Sequence, residues 1–90
     1  MKNLETTLLN HKIMVTFKKI MVNNKWFGSW YAYNESKKTK VFISQDKNGT
    51  GDEFYCMVEP ESKYYEDFEP CTRKSLDTAK NYVKSFFSKL

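Results

Sequence analysis

Two successive periodicities constrain the fold of this chain more than any other feature. From Lys12 onwards, apolar residues recur at every second position, and Asn23-Asn24, residues 34–38 and residues 47–52 interrupt the alternation with turn-forming residues. After Ser75 the period changes to three and four residues. Alternation is typical of half-buried strands, and the longer period is typical of an amphipathic helix. The sequence therefore predicts an α+β domain, a four-stranded antiparallel meander with one C-terminal helix packed on one face.

The turn signals give the limits of the predicted strands. Asn23-Asn24 supplies two residues that tolerate positive φ, as a two-residue hairpin loop requires. A shift of the alternation from odd to even positions predicts a β-bulge near Lys18 and Lys19. Gly28, in the middle of the second strand, predicts a gap or a close approach of another segment. The four predicted strands are residues 12–22, 25–33, 39–45 and 53–58.

The C-terminal helix has the clearest start signal. Ser75 is predicted as the N-cap, and Asp77 lies in the first turn, where a negative charge is favourable. One helical face is apolar throughout, so this face is expected to pack on the sheet. Its residues are Leu76, Ala79, Tyr82, Val83, Phe86 and Leu90.

The N-terminal residues 1–11 predict a short helix or an irregular arm, because Leu4, Leu8 and Leu9 share a helical face. The whole chain has 90 residues. A chain of this size buries only about 60–65% of its surface and has room for one hydrophobic core. Residues 1–90 are therefore predicted as a single domain, too small for a deep catalytic cavity.

Compartment and membrane signals are few. The first residues lack the unbroken apolar stretch of a secretory signal, and no segment is long enough to span a membrane. Cys56 and Cys71 stand outside any paired C-x-x-C arrangement. We therefore expect two reduced thiols in a cytoplasmic protein without a membrane contact.

Catalytic and cofactor motifs are not found. His11 is the one imidazole, and no nucleophile stands beside it. The G-x-G in residues 47–52 joins two predicted strands and lacks the helix that cradles a phosphate. Two lone cysteines and one histidine are too few for a typical zinc site. We expect a non-enzymatic protein without catalytic residues, metal or cofactor.

The charges are segregated along the chain. Its net charge is +4, yet residues 1–51 hold nine lysines and three acids, and residues 70–90 hold five basic residues and one acid. Residues 52–69 hold seven acids and one lysine. Fourteen of the fifteen basic residues are Lys, whereas sequence-specific nucleic-acid recognition relies on Arg. The positive net charge is therefore weak support for specific nucleic-acid binding.

Residues 59–70, here called the acidic segment, combine carboxylates with three aromatic rings and are bracketed by Pro60 and Pro70. Negative charge and flat rings on one surface imitate what a single nucleic-acid strand presents to a basic protein groove. The alternative is a solvated loop whose rings fold back onto the helix or a sheet edge. The predicted partner-binding residues are Glu59, Glu61, Tyr64, Tyr65, Glu66, Asp67, Phe68 and Glu69.

Aromatic residues are also concentrated in the second strand. Alternation sends Trp26, Trp30 and Ala32 to one face and Phe27, Tyr31 and Tyr33 to the other. Since one helix covers one face, one aromatic row is left for solvent, for the N-terminal arm or for a partner. Lysines follow this strand closely. The second candidate surface consists of Trp26, Trp30, Lys37 and Lys38.

Two functions fit these patterns. In length, in Lys- and Asn-rich composition and in lack of motifs, the chain resembles small proteins of phages and mobile elements, among them anti-CRISPR and other counter-defence inhibitors. This resemblance implies an inhibitor, monomeric or homodimeric, that occupies a basic nucleic-acid-binding groove on a host or defence-system protein. The alternative is a non-specific single-stranded nucleic-acid-binding domain. It would use Trp or Tyr rings together with Lys18, Lys19, Lys25, Lys37, Lys38 and Lys40.

Overall fold

Five antiparallel strands in sequential order form one sheet, and a helix follows them. The computed structural model describes residues 15–90, so the predicted N-terminal arm, with Leu4, Leu8, Leu9 and His11, lies outside the described residues. Two short turns lie between strands. Asp46–Gly49 contains the left-handed residues Lys47 and Asn48, both with φ of 54°, and Tyr65–Asp67 is a 3-10 turn. The strands are β1 (Phe17–Val22), β2 (Lys25–Asn34), β3 (Thr39–Gln45), β4 (Phe54–Val58) and β5 (Cys71–Arg73), and the helix is α1 (Leu76–Lys89).

The predicted α+β class with a C-terminal helix is confirmed, but the sheet has five strands where four were predicted. The additional strand, β5, pairs with β4 through Phe54 and Arg73, Tyr55 and Thr72, and Cys56 and Cys71. It spans only three residues between Pro70 and the helix cap, which is too short to show an alternating pattern.

The core lies between α1 and one face of the sheet. Ser75 is the N-cap, as predicted, and its hydroxyl accepts a hydrogen bond from the backbone N–H of Thr78 at 3.2 Å. Ala79, Val83 and Phe87 of the helix are buried. Phe87 lies outside the predicted apolar face and nevertheless joins the core. The sheet contributes the buried residues Trp30, Ala32, Val41, Ile43, Phe54, Cys56 and Val58.

The turns follow the sequence signals closely. Asn23 and Asn24 have φ angles of 52° and 63°, the left-handed pair expected of a tight hairpin. Gly28 has φ 103° and lies so close to the backbone of Gly49 that a Cβ atom at Gly28 would come within 2.6 Å of the Gly49 nitrogen. This contact confirms the close approach predicted at Gly28.

The irregularity in the first hairpin lies on the opposite strand from the one predicted. Lys19 pairs with Trp30 and Met21 pairs with Trp26, so one residue of β1 faces three residues of β2. The extra residues therefore belong to β2 around Gly28, whose positive φ permits the bulge.

The two faces of the sheet differ in what covers them. Residues paired across the strands share a face, so Tyr31, Phe42 and Met57 point away from the layer that contains Trp30, Ile43 and Cys56. Within residues 15–90, α1 packs on the latter layer. In the described part of the chain, no helix has the length and apolar character needed to cross a lipid bilayer.

Candidate functional site

The acidic segment is attached to β3 at its beginning. The carboxylate of Glu59 accepts a hydrogen bond from the backbone N–H of Lys40 at 3.1 Å, and the backbone N–H of Glu59 donates to the Lys40 carbonyl at 3.0 Å. Glu59 is half-buried and continues the pairing of β4 with β3. One oxygen of this carboxylate is therefore hydrogen-bonded to β3, and the role of Glu59 in partner binding stays a prediction.

A buried chain of hydrogen bonds fixes the next part of the segment. The Thr39 hydroxyl donates to the carbonyl of Lys37 at 3.0 Å, so its oxygen accepts from the hydroxyl of Ser62, 2.8 Å away. The oxygen of Ser62 in turn accepts from the backbone N–H of Tyr64 at 3.0 Å. Thr39 and Ser62 are both buried. Every polar group in this series of hydrogen bonds has a partner, so the turn is held in one conformation.

The far part of the segment is anchored on the helix. The ring of Phe68 is 5% exposed and packs edge-on against Tyr82 and Phe86 of α1. The hydroxyl of Tyr82 donates to the carbonyl of Glu69 at 2.7 Å. Burial and the neighbouring Cys71 thiol raise the pKa of Tyr82, which keeps this phenol protonated as a donor.

Between these two anchors the segment presents carboxylates to solvent. Glu66 and Asp67 lie on the 3-10 turn, whose backbone bonds run from Tyr65 to Ser62 and from Asp67 to Tyr64. Within residues 15–90 the one ion pair joins Lys74 and Glu53, both exposed, so none of the segment's carboxylates is held in an ion pair. Lysines nevertheless lie nearby, since Lys89 lines a depression with Asp67 and Glu69, and Lys37 lines one with Glu61. The exposed carboxylates of the segment belong to Glu61, Glu66, Asp67 and Glu69.

The three aromatic rings of the segment have different environments. Phe68 belongs to the core and cannot stack on a partner without unfolding the anchor. Tyr64 is half-buried with the Lys63 ammonium 5.4 Å from its ring centroid, and Tyr65 is 41% exposed. The alternative of rings folded back onto the helix thus holds for Phe68, while Tyr65 presents its ring to solvent.

The second candidate surface is not assembled as predicted. Trp30 is 8% exposed in the core, and Trp26 packs against it with a centroid distance of 4.8 Å. Lys37 and Lys38 follow the other end of β2, where they line a shallow depression of about 440 Å³ with Glu61. The alternation of β2 is as predicted, but the row containing the tryptophans is the one that faces α1.

The aromatic row left uncovered by α1 forms what we call the open face, the outward side of β1, β2 and β3. Tyr33 is 48% exposed and Tyr31 is half-buried, with the Lys40 ammonium 5.0 Å from the Tyr31 ring centroid. An open depression of about 930 Å³ lies here. Its lining consists of Thr16, Lys18, Tyr31, Tyr33, Lys38, Lys40 and Glu59.

Sequence reasoning did not identify Thr39 and Ser62 as residues that position the acidic segment. The β-branched Thr39 fits its strand, and Ser62 resembles any turn serine. Their hydrogen bond joins positions 23 residues apart, which no local pattern reveals.

Neither similarity to known proteins nor a metal site among the described residues identifies a function. No protein-family model, curated protein or solved structure matches the chain at a significant level. Among residues 15–90, no three His, Cys, Asp or Glu side chains are placed to hold a metal ion together. The acidic segment and the open face are therefore the two surfaces from which a function can be inferred.

Proposed function

We propose that this chain is a non-enzymatic protein-binding module that inhibits its target by occupying a basic nucleic-acid-binding groove. One observation carries the proposal: four exposed carboxylates are held on a fixed scaffold, and none of them is in an ion pair with a described residue. A segment held rigid before binding loses less conformational entropy when it binds. Glu61, Glu66, Asp67 and Glu69 therefore form the proposed contact surface, with Tyr65 as its exposed ring.

The charge distribution supports a basic protein as the partner. The rest of the chain is strongly cationic, so the surrounding lysines repel a broad basic surface. A narrow basic groove or a short basic peptide fits this arrangement, because it can contact the acidic segment while its own cations stay away from those lysines. Such a groove in a host or defence-system protein normally binds the phosphates of a nucleic acid.

The proposal places the protein in the cytoplasm, where its target and nucleic acids are both present. It also assigns the chain to the type of small inhibitor found in phages and mobile elements, including anti-CRISPR proteins. The contact surface is complete within one chain, so the inhibitor can act as a monomer or as a homodimer.

A displacement assay tests this proposal. Fluorescently labelled single-stranded DNA is first bound to an arginine-rich peptide, which serves as a minimal basic groove. Addition of the protein is expected to release the DNA as the acidic segment takes its place. Unchanged anisotropy of the labelled DNA over a large excess of protein would contradict the proposal.

The open face favours a second candidate function, non-specific binding of single-stranded nucleic acid. Lys18, Lys38 and Lys40 surround the rings of Tyr31 and Tyr33 in one depression, and these are the groups that contact phosphates and stack on bases. Glu59 lies in the same depression and opposes an anionic ligand. We therefore rank this function second.

Direct titration with labelled single-stranded DNA separates the two candidates. If the open face binds single-stranded nucleic acid, we expect micromolar binding that weakens steeply with added salt. The double variant Lys18→Glu with Lys40→Glu is then expected to lose at least a tenfold factor in affinity, about 1.4 kcal/mol. Lys84→Glu with Lys89→Glu, on exposed positions of α1, is the matched control for net charge. Absence of binding at low salt would eliminate the second candidate.

A further inference from the structure

Cys56 and Cys71 lie directly opposite each other on the paired strands β4 and β5. Both are unoxidised thiols. Directly opposed residues of an antiparallel pair have Cα atoms about 4.5–5.5 Å apart, which is inside the range of about 4.4–6.8 Å that a disulfide bridges. The Cα separation therefore permits a disulfide. The Cβ atoms of directly opposed residues are about 4.5–5.5 Å apart, compared with about 3.5–4.5 Å in a disulfide, so the bond draws the two strands slightly together.

The two thiols differ in accessibility. Cys56 is fully buried, and its thiol donates a weak hydrogen bond to the carbonyl of Ala79 at 3.9 Å. Burial, reinforced by the Cys71 thiol, raises the pKa of Cys56 to about 12, so this thiol stays protonated at neutral pH. Cys71 is half-buried on an edge strand, two residues from Arg73. An external reagent therefore reaches Cys71 first.

We propose that Cys56 and Cys71 form a thiol–disulfide exchange site for low-molecular-weight disulfides of the glutathione type. The Cys71 thiolate attacks one sulfur of the oxidised reagent, and the reagent's S–S bond breaks to release one thiolate, which takes up a proton. The Cys56 sulfur then attacks the Cys71 sulfur and the Cys71–reagent S–S bond breaks. The departing reagent thiolate takes up the proton of Cys56 and leaves as the second reagent thiol. Two protein thiols are oxidised to one disulfide, and one reagent disulfide is reduced to two thiols.

The position of the pair gives this reaction a structural consequence. Cys56 and Cys71 flank the whole acidic segment, so the disulfide closes the loop that carries the exposed carboxylates. The chemistry of the pair stands independently of the proposed function, whereas any effect on target binding rests on that function. The experiment therefore measures the thiol–disulfide exchange and not target binding.

Incubation of the full chain with oxidised glutathione, followed by acid quenching and alkylation under denaturing conditions, gives the test. Intact-mass measurement is expected to show a monomer about two mass units lighter, with neither cysteine alkylated, and peptide mapping is expected to link Cys56 to Cys71. Accumulation of a stable glutathione adduct on the wild type, a covalent dimer, or two thiols that remain alkylatable would each overturn the proposal.

Two variants assign the separate steps. Cys56→Ser is expected to stop at one glutathione adduct on Cys71, because the resolving thiol is missing. Cys71→Ser is expected to react at least about tenfold more slowly than the wild type, because its remaining thiol is buried and protonated. Equal rates in Cys71→Ser and wild type would overturn the assignment of Cys71 as the attacking thiol. The wild-type measurement decides the main question even if a variant fails to fold.

Discussion

The ring of Phe68 packs edge-on against the ring of Phe86, with their centroids 4.8 Å apart. Phe68 belongs to the acidic segment and Phe86 to α1, so this contact ties the segment to the helix. An edge-to-face pair of this kind contributes about 0.5–1.5 kcal/mol beyond the burial of its surface. The contact explains how a run of like charges keeps a fixed shape despite its own repulsion.

Replacement of Phe68 by Ala tests this anchor. We expect Phe68→Ala to lower the free energy of unfolding by about 3–4 kcal/mol, because it leaves a cavity between the sheet and α1. Urea denaturation measures the loss, and hydrogen exchange of residues 62–69 is expected to speed up in the same variant. Tyr65→Ala, at an exposed ring of the same segment, is the control and should stay within about 0.5 kcal/mol of wild type. Equal losses in both variants would contradict the anchoring role.

The buried hydrogen bond between Thr39 and Ser62 predicts coupled losses of stability. Ser62→Ala is expected to cost about 1–3 kcal/mol, because the Thr39 oxygen then lacks its donor in a buried site. Thr39→Val removes the other partner. In the double variant the cost should be smaller than the sum of the two single costs by about 1 kcal/mol. Strict additivity in urea denaturation would show that the two hydroxyls act independently.

The local signals in the sequence were sufficient for much of the fold. Asn23-Asn24 identifies its hairpin because few other residues adopt positive φ at low cost, and Ser75 identifies the helix start through its side-chain oxygen. Both signals depend on neighbouring residues only. For the same reason β5 was missed, since Cys71–Arg73 becomes a strand only through its pairing with β4.

The faces of the sheet could be predicted only in part. Alternation in β2 separates Trp30 from Tyr31 correctly, but both rows are aromatic, so the pattern does not tell which row faces the helix. In the acidic segment Glu66 and Asp67 are exposed, as partner-binding residues must be, and their role in binding stays a prediction. Phe68 is not exposed, because it packs against Phe86, which is distant in sequence.

Gly28 is expected to tolerate no side chain. With φ at 103° and the Gly49 nitrogen within 2.6 Å of a Cβ atom, Gly28→Ala must displace the backbone of β2 or of the loop. A loss of more than about 2 kcal/mol is expected in thermal or urea unfolding, well above the usual cost of replacing glycine at a relaxed position. Wild-type stability in Gly28→Ala would contradict the close packing of these two backbone segments.

The pKa of Cys56 predicts a loss of stability at alkaline pH. The folded-state pKa of about 12 lies above the ordinary value of 9.0, so the folded chain retains a proton that the unfolded chain releases. This contribution to stability is complete below pH 9 and is lost as the pH rises from 9 through about 12.

Unfolding of wild type and Cys56→Ala with a reductant present measures this effect. The difference in their unfolding free energies is expected to shrink by roughly 2 kcal/mol between about pH 8.5 and about pH 11, since the Ala variant lacks the group. Parallel stability curves over this range would contradict the burial of a protonated thiol at this position.

Anisotropy titration of a labelled arginine-rich peptide shows whether the acidic segment is a prepared surface for a basic groove. The wild type is compared with two double variants of equal net charge. The segment variant carries Glu66→Lys and Asp67→Lys, and the control carries Glu35→Lys and Asp52→Lys, outside the acidic segment. We expect at least about tenfold weaker binding in the segment variant and a change within about twofold in the control. Equal weakening in the two variants, or no binding by the wild type, would contradict this expectation.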